Sequence, residues 1–139
     1  MIVVDTSAVV AILFNEPIAD TLLARLDEDP DRIMSVASYV EAMFVLAGRR
    51  AADRDRAAAH LERFLTETAI RLAPVDEAQM RIAARARIQY GRGMGHGGSL
   101  NFGDTFSYAL AIDRNASLLF VGNDFHTTDI VPAIPRVNP

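Results

Sequence analysis

Four acidic residues stand where a fold can gather them: Asp5, Glu41, Asp104 and Asp124. Asp5 closes the apolar run Ile2-Val3-Val4, and Asp124 follows Ser117-Leu118-Leu119-Phe120-Val121. Glu41 and Asp104 fall near the starts of helical stretches. Carboxylates drawn together from such distant positions repel, by roughly 4 kcal/mol for a pair about 4 Å apart at an effective dielectric near 20. Without compensation the group would raise its own pKa values or force the site open. A hard divalent cation removes the conflict, because Mg²⁺ and Mn²⁺ prefer carboxylate and water oxygens. Mg²⁺ keeps several waters, meets its substrates through phosphate oxygens and makes a water acidic enough to attack phosphorus. The pattern therefore points to metal-dependent phosphoryl chemistry on a nucleic acid or a smaller phosphate ester.

Each acid also has a plain structural role open to it. Asp5 suits the N-cap of the helix beginning at Thr6-Ser7, and Glu41 stands three residues after Ser38, as in a capping box. Asp104 complements the dipole of the helix that Asn101 caps, and Asp124 suits a turn. Asn123 either shapes that turn or touches a metal-associated water. His96 and His126 lie in loops and read as solvated, and His60 falls on the flank of an amphipathic helix. Arg49 and Arg50, with Arg54 and Arg56, form the densest basic cluster, which is either a solvated helix end or a contact for phosphate or an acidic partner.

Other chemistries are excluded by composition. The chain has no cysteine, so thiolate nucleophiles, thiolate metal sites and disulfides are ruled out. Every basic residue is Arg, which removes mechanisms that need a catalytic or P-loop Lys. No Gly-x-Ser-x-Gly elbow is present. A formal charge of −4 argues against nucleic-acid binding by phosphate neutralisation alone, leaving metal ions or a local Arg cluster as the anchor.

The elements that must position the four acids follow from periodicity. Short apolar runs at Ile2–Val4, Ile33–Val36, Ile70–Val75 and Ser117–Val121 predict strands, each set between helical stretches. Helices are expected over Thr6–Leu13, from Glu16-Pro17 onward, from Ser38 to Ala47 with Gly48 as C′, from Asp53 to about Thr68, from Asp76 to about Tyr90, and after Asn101. Ala57, Leu61, Phe64 and Leu65 should face inward. Phe102, Phe106, Ala109 and Leu110 should form the buried stripe of the last helix, with Asp104 off it. Gly91–Gly98 reads as a flexible loop leading into the Asn101 cap, or else a mobile substrate lid, and not as a phosphate fingerprint, since it follows a helix and lacks Gly-Lys-Ser/Thr. A possible edge strand lies near Ile134. Such alternation predicts a parallel sheet covered on both faces, with ligands at the strands' carboxyl ends. The 139 residues suit a single domain, and half are apolar, a globular profile with no bilayer-spanning run. A cytoplasmic protein is the expectation.

The chain resembles the PIN-domain ribonucleases of the VapC toxin type. The resemblance rests on Val4-Asp5-Thr6-Ser7-Ala8, Glu16-Pro17, Glu41, Leu100-Asn101-Phe102-Gly103-Asp104 with Tyr108-Ala109-Leu110-Ala111, and Gly122-Asn123-Asp124-Phe125 with Thr128-Asp129-Ile130. It implies one PIN domain over 1–139, a Rossmann-like α/β/α sandwich with a parallel sheet of about four or five strands. It also implies an Mg²⁺-dependent endoribonuclease in which Mn²⁺ substitutes. By that resemblance Asp5, Glu41 and Asp104 match the family's metal-binding acids, Asp124 the more variable fourth, and Ser7 a hydroxyl that orients Asp5, with Thr6 and Asn123 beside them. It further implies RNA as substrate, a VapB-like antitoxin as inhibitor, and a homodimer, for which apolar positions around Leu46 and Leu61 are candidates. The competing readings are a non-catalytic PIN-like binding module and a haloacid-dehalogenase-type phosphatase. The latter lacks its second Asp, since Asp5 is followed by Thr6-Ser7.

Overall fold

The computed structural model describes residues 1–49 and 51–136, apart from the side chain of Asp53. Among these the element order is β1 (Ile2–Val4), α1 (Thr6–Leu13), α2 (Ala19–Asp27), β2 (Arg32–Ser35), α3 (Val36–Arg49), a 3₁₀ turn (Ala51–Arg56), α4 (Ala57–Glu67), β3 (Ile70–Ala73), α5 (Glu77–Tyr90), α6 (Phe102–Arg114) and β4 (Ser117–Leu119). The strands form one parallel sheet in the order β3-β2-β1-β4, with Val3 opposite both Ile33 and Leu118.

β1 is apolar at every position because both of its faces are covered. Ile2 and Val4, with Met34 and Leu119, pack against α1 to α4 through Ala8, Leu22, Leu26, Ala42 and Leu61. Val3, Ile33 and Leu118 pack on the opposite side against Ala86 of α5 and Tyr108 and Leu110 of α6. This is the expected three-layer α/β/α sandwich. The chain runs outward from β1 through β2 to β3 and then returns to place β4 on the other side of β1. That reversal opens a crevice at the carboxyl ends of β1 and β4. The amide of Asp5 donates to the carbonyl of Leu119 at 2.9 Å, which joins the two strand ends at the crevice.

Several local expectations hold. Asp76 caps α5 by accepting from the Gln79 amide at 2.9 Å, and Ala57, Leu61, Phe64 and Leu65 are buried on α4. Others are corrected. α3 begins at Val36, two residues before Ser38, because Ser35 at the strand end takes the capping role and accepts from the Ala37 amide at 3.2 Å. Glu41 is therefore not the partner in a Ser38 capping box, and Gly48 lies inside a helix that continues to Arg49. α2 starts at Ala19, not Pro17, and Ile18 provides no side-chain cap. α4 starts at Ala57, after the 3₁₀ turn. Near Ile134 there is only an isolated bridge, Leu118 to Pro132.

The stripe on α6 is also corrected. Phe102 is 79% exposed, whereas Asp104, Thr105 and every residue from Ser107 to Ala111 are buried. α6 lies against α5, α3 and the sheet together, so its middle turns, through Ala111, are enclosed while Phe102 at its start and Ile112–Arg114 at its end are exposed. Leu46 and Leu61 belong to the core and cannot form a dimer surface. The exposed apolar residues of α3 are Val36, Val40 and Phe44.

Two fully enclosed hydroxyls link α3 to α6: Ser38 Oγ and Ser107 Oγ lie 3.0 Å apart. Ser107→Ala is expected to destabilise the protein by about 1–3 kcal/mol, because Ser38 loses a buried partner. Ser38→Ala/Ser107→Ala should cost clearly less than the two single changes summed. Urea unfolding of all four proteins measures both.

Candidate active site

The crevice is built around Asp5. As N-cap of α1 it uses Oδ2 to accept from the Ser7 amide at 3.0 Å and the Ser7 hydroxyl at 2.6 Å. Ser7 Oγ in turn accepts from the Val121 amide at 3.0 Å, so the hydroxyl ties the carboxylate to the segment after β4. Oδ1 is buried without a hydrogen-bond partner. The capping and functional readings of Asp5 thus occupy different oxygens. Thr6 Oγ1 donates to the Ser38 carbonyl at 3.0 Å and fastens α1 to α3.

Asp104 enters from the opposite wall. A reciprocal capping box fixes it: its amide donates to Asn101 Oδ1 and its Oδ2 accepts from the Asn101 amide, both at 2.9 Å. Burial pushes its pKa up to about 7 against the opposing Asn101 bond, and the charges of Asp5, Asp124 and Glu41 add to the rise. Glu41 is also raised, by burial first, with a bond from Thr6 opposing and the charge of Asp5 adding. The four acids therefore share one electrostatic neighbourhood, although they come from four separate parts of the chain.

Two participants were missed by sequence reasoning. A Cβ on Gly103 would overlap Glu41 Oε2, so this glycine is the space that admits the Glu41 carboxylate beside α6. The signal was a glycine in the first turn of a helix, where it lowers helix propensity. Arg92, from the glycine-dense segment, places a guanidinium nitrogen 3.8 Å from Asp124 Oδ1. Nothing in the local sequence indicates that pairing.

Other candidates lie apart. Arg49 sits 4.8 Å over the Phe14 ring and 3.9 Å from Glu16 Oε1, and Arg50 lies outside the described residues. Asn123 is exposed, and its carbonyl accepts from the His126 amide at 3.2 Å, which is the turn role.

The donor set suits a hard divalent cation. Oxygen ligands predominate, one buried carboxylate oxygen is orphaned, and burial, with the neighbouring acids adding, holds the Asp104 carboxyl well above the usual carboxylate range. Among the described residues, however, no three acid or histidine groups close on one point tightly enough to hold an ion unaided. A cation there needs water among its ligands, as Mg²⁺ ordinarily has.

The match to known proteins covers this whole arrangement. Residues 2–131 match the family model described as PIN domain. The chain belongs to the PIN-domain family. Ribonuclease VapC42 of Mycobacterium tuberculosis is 44% identical over 131 residues, spanning 94% of this chain and 98% of its own. Ribonuclease VapC28 of the same organism is 43% identical over 134 residues, covering 96% and 98%. Among solved structures, this PIN domain superposes on M. tuberculosis VapC20, a sarcin-ricin loop cleaving toxin, with a TM-score of 0.76 at 20% identity, covering 97% of this chain and 100% of that one. It also superposes on a chain of VapBC2 from Rickettsia felis, bound to a promoter DNA fragment, with a TM-score of 0.72 at 16% identity, covering 95% and 96%. At those identities the structures speak for the fold alone.

Two outcomes follow for the PIN domain. Gly103→Ala should leave unfolding stability within about 1 kcal/mol, since the displaced atom is the end of a flexible side chain, while Mn²⁺ affinity measured by calorimetry falls at least about tenfold. The second concerns pH. The folded state holds the Asp104 proton more tightly than the unfolded chain, so this contribution to stability is full below the ordinary carboxylate pKa and is lost as pH rises towards 7. In chelator, Asp104→Asn should abolish that decline and raise the melting temperature at pH 7.5, read by thermal scans between pH 4 and 8.

Proposed function

We propose that the protein is a metal-dependent endoribonuclease acting as the toxin of a VapBC-type toxin–antitoxin pair. The observation that carries this reading is the orphaned Asp5 Oδ1 in a crevice where burial, with the charges of the other acids adding, pushes the Asp104 pKa up to about 7. Support comes from relatives named as VapC ribonucleases that match almost end to end.

Asp5 and Asp104 would hold the cation, and Glu41 and Asp124 would complete the set directly or through water. Mg²⁺ is the proposed ion, and Mn²⁺ the substitute. When bound, such an ion neutralises the crevice and lowers the pKa of water. Ser7 keeps one Asp5 oxygen occupied so that the other points inward, and Gly103 leaves room for Glu41. Water attacks phosphorus, the bond to the 3′ oxygen breaks, and that oxygen takes a proton. The products carry 5′-phosphate and 3′-hydroxyl ends. Val36, Val40 and Phe44 on α3 form an exposed apolar face that suits a protein partner, either the antitoxin or a second copy of the chain. No helix among the described residues is long and apolar enough to cross a membrane.

A second reading, a PIN module that binds a partner without chemistry, draws on the lack of a preformed three-acid group among the described residues. The two readings separate experimentally. Asp5→Ala and Asp104→Asn should each cut RNA cleavage in Mg²⁺ or Mn²⁺ more than about a hundredfold, roughly 3 kcal/mol of barrier. Undiminished cleavage by either purified variant would end the nuclease reading, and absence of saturable Mn²⁺ binding by the wild type would favour the module.

A further inference from the structure

Beside the acid crevice lies a cavity of about 560 Å³ between α5, the glycine-dense segment and the first turn of α6. Its walls include Met80, Leu100, Phe102 and Phe106, with Arg87 and Arg92 among the few polar groups. Phe102 is 79% exposed and meets Phe106 edge-on at 5.0 Å between ring centroids. Folding does not call for an exposed phenyl at this position, because the buried part of α6 begins two residues later. The position is instead fixed relative to the site: Asn101, which also lines the cavity, holds Asp104 in the capping box.

The cavity and the crevice are also linked by charge. Arg92 lines the cavity while its guanidinium approaches Asp124, and Arg87 donates to the Arg92 carbonyl at 2.9 Å. Two cations therefore stand at an apolar, aromatic recess in a chain of net charge −4. A single-stranded nucleotide combines the matching features, a flat π-face and an anionic phosphate. Stacking of a base on an aromatic side chain is worth about 1–3 kcal/mol and tolerates every base. The recess also falls within the range of about 300–1,000 Å³ usual for small-molecule sites.

We infer that this recess is a nucleotide subsite: Phe102 stacks one unpaired base next to the scissile phosphate, and Arg87 and Arg92 receive the neighbouring backbone. The inference rests on the nuclease reading above and adds to it a residue that selects single-stranded over paired RNA. Phe102 is a substrate-positioning residue here, outside the acid set.

The test starts from total cellular RNA incubated with the wild-type protein and Mn²⁺, with the new 5′ ends sequenced. A short oligoribonucleotide spanning a mapped cut then serves as the probe. Phe102→Ala should lower kcat/KM about 10- to 100-fold, mainly through KM, whereas Phe102→Trp retains activity. Removing the base from one nucleotide flanking the cut should impair the wild type by a similar factor and add little to Phe102→Ala. Mn²⁺ affinity should be the same in all three proteins, and the exposed position makes misfolding no explanation.

If Phe102→Ala cleaves as well as wild type, the subsite falls and the nuclease reading stands. Equal loss on intact and base-free probes, beyond the wild-type effect, also overturns it. So does a variant that cleaves normally but escapes inhibition by a partner protein, since the recess would then serve protein recognition. Absence of any cut by the wild type removes both the subsite and the nuclease reading.

Discussion

Everything about this molecule turns on the repulsion among carboxylates forced into one crevice. Burial withdraws the water that would screen them, and each charge raises the cost of the next. Asp104 registers the effect most clearly, with a pKa near 7 in spite of a capping bond that favours its ionised form. A fold that raises the carboxyls of both Glu41 and Asp104 beside Asp5 is arranged for something positive to share them. Only one oxygen, Asp5 Oδ1, is both buried and unpartnered in that group.

The surrounding structure resists this repulsion with short polar ties. Ser7 clamps Asp5 to the strand-end segment at Val121, Asn101 clamps Asp104, and the Ser38–Ser107 pair holds α3 against α6. These ties leave the carboxylates little freedom to move apart. Such preorganisation of charged groups is what electrostatic catalysis requires. Arg92 tempers only the outermost acid, Asp124, and does so from an exposed position where an ion pair contributes little to stability.

The same constraint explains why α6 is unusual. Its N-terminal turn carries an exposed phenyl, a glycine and an acid in succession, while its middle turns, through Ala111, are enclosed by α5, α3 and the sheet. A helix serving packing alone would place apolar bulk where Gly103 and Asp104 stand. The tip of α6 is given over to the crevice and its neighbouring recess, and the body supplies the anchorage.

Sequence by itself determined the layer architecture, the strands, most helices and the identities of the acids, because periodicity and capping are local properties. Asp76 and Asn101 announced their helices, and the fully apolar β1 announced a doubly covered sheet. It misplaced features decided by neighbours distant in the chain. Ser38 has the local signature of a cap, but Ser35 at the end of β2 takes that role, and Phe102 falls on an apolar stripe whose period carries no record of what covers each turn. Periodicity turns Leu61 inward, as the core confirms, but it does not say that Leu46 is enclosed as well. The place of Gly103 beneath Glu41, the reach of Arg92 to Asp124 and the single orphaned oxygen of Asp5 belong to tertiary structure alone. Each depends on distances between segments tens of residues apart, and no local pattern encodes those distances.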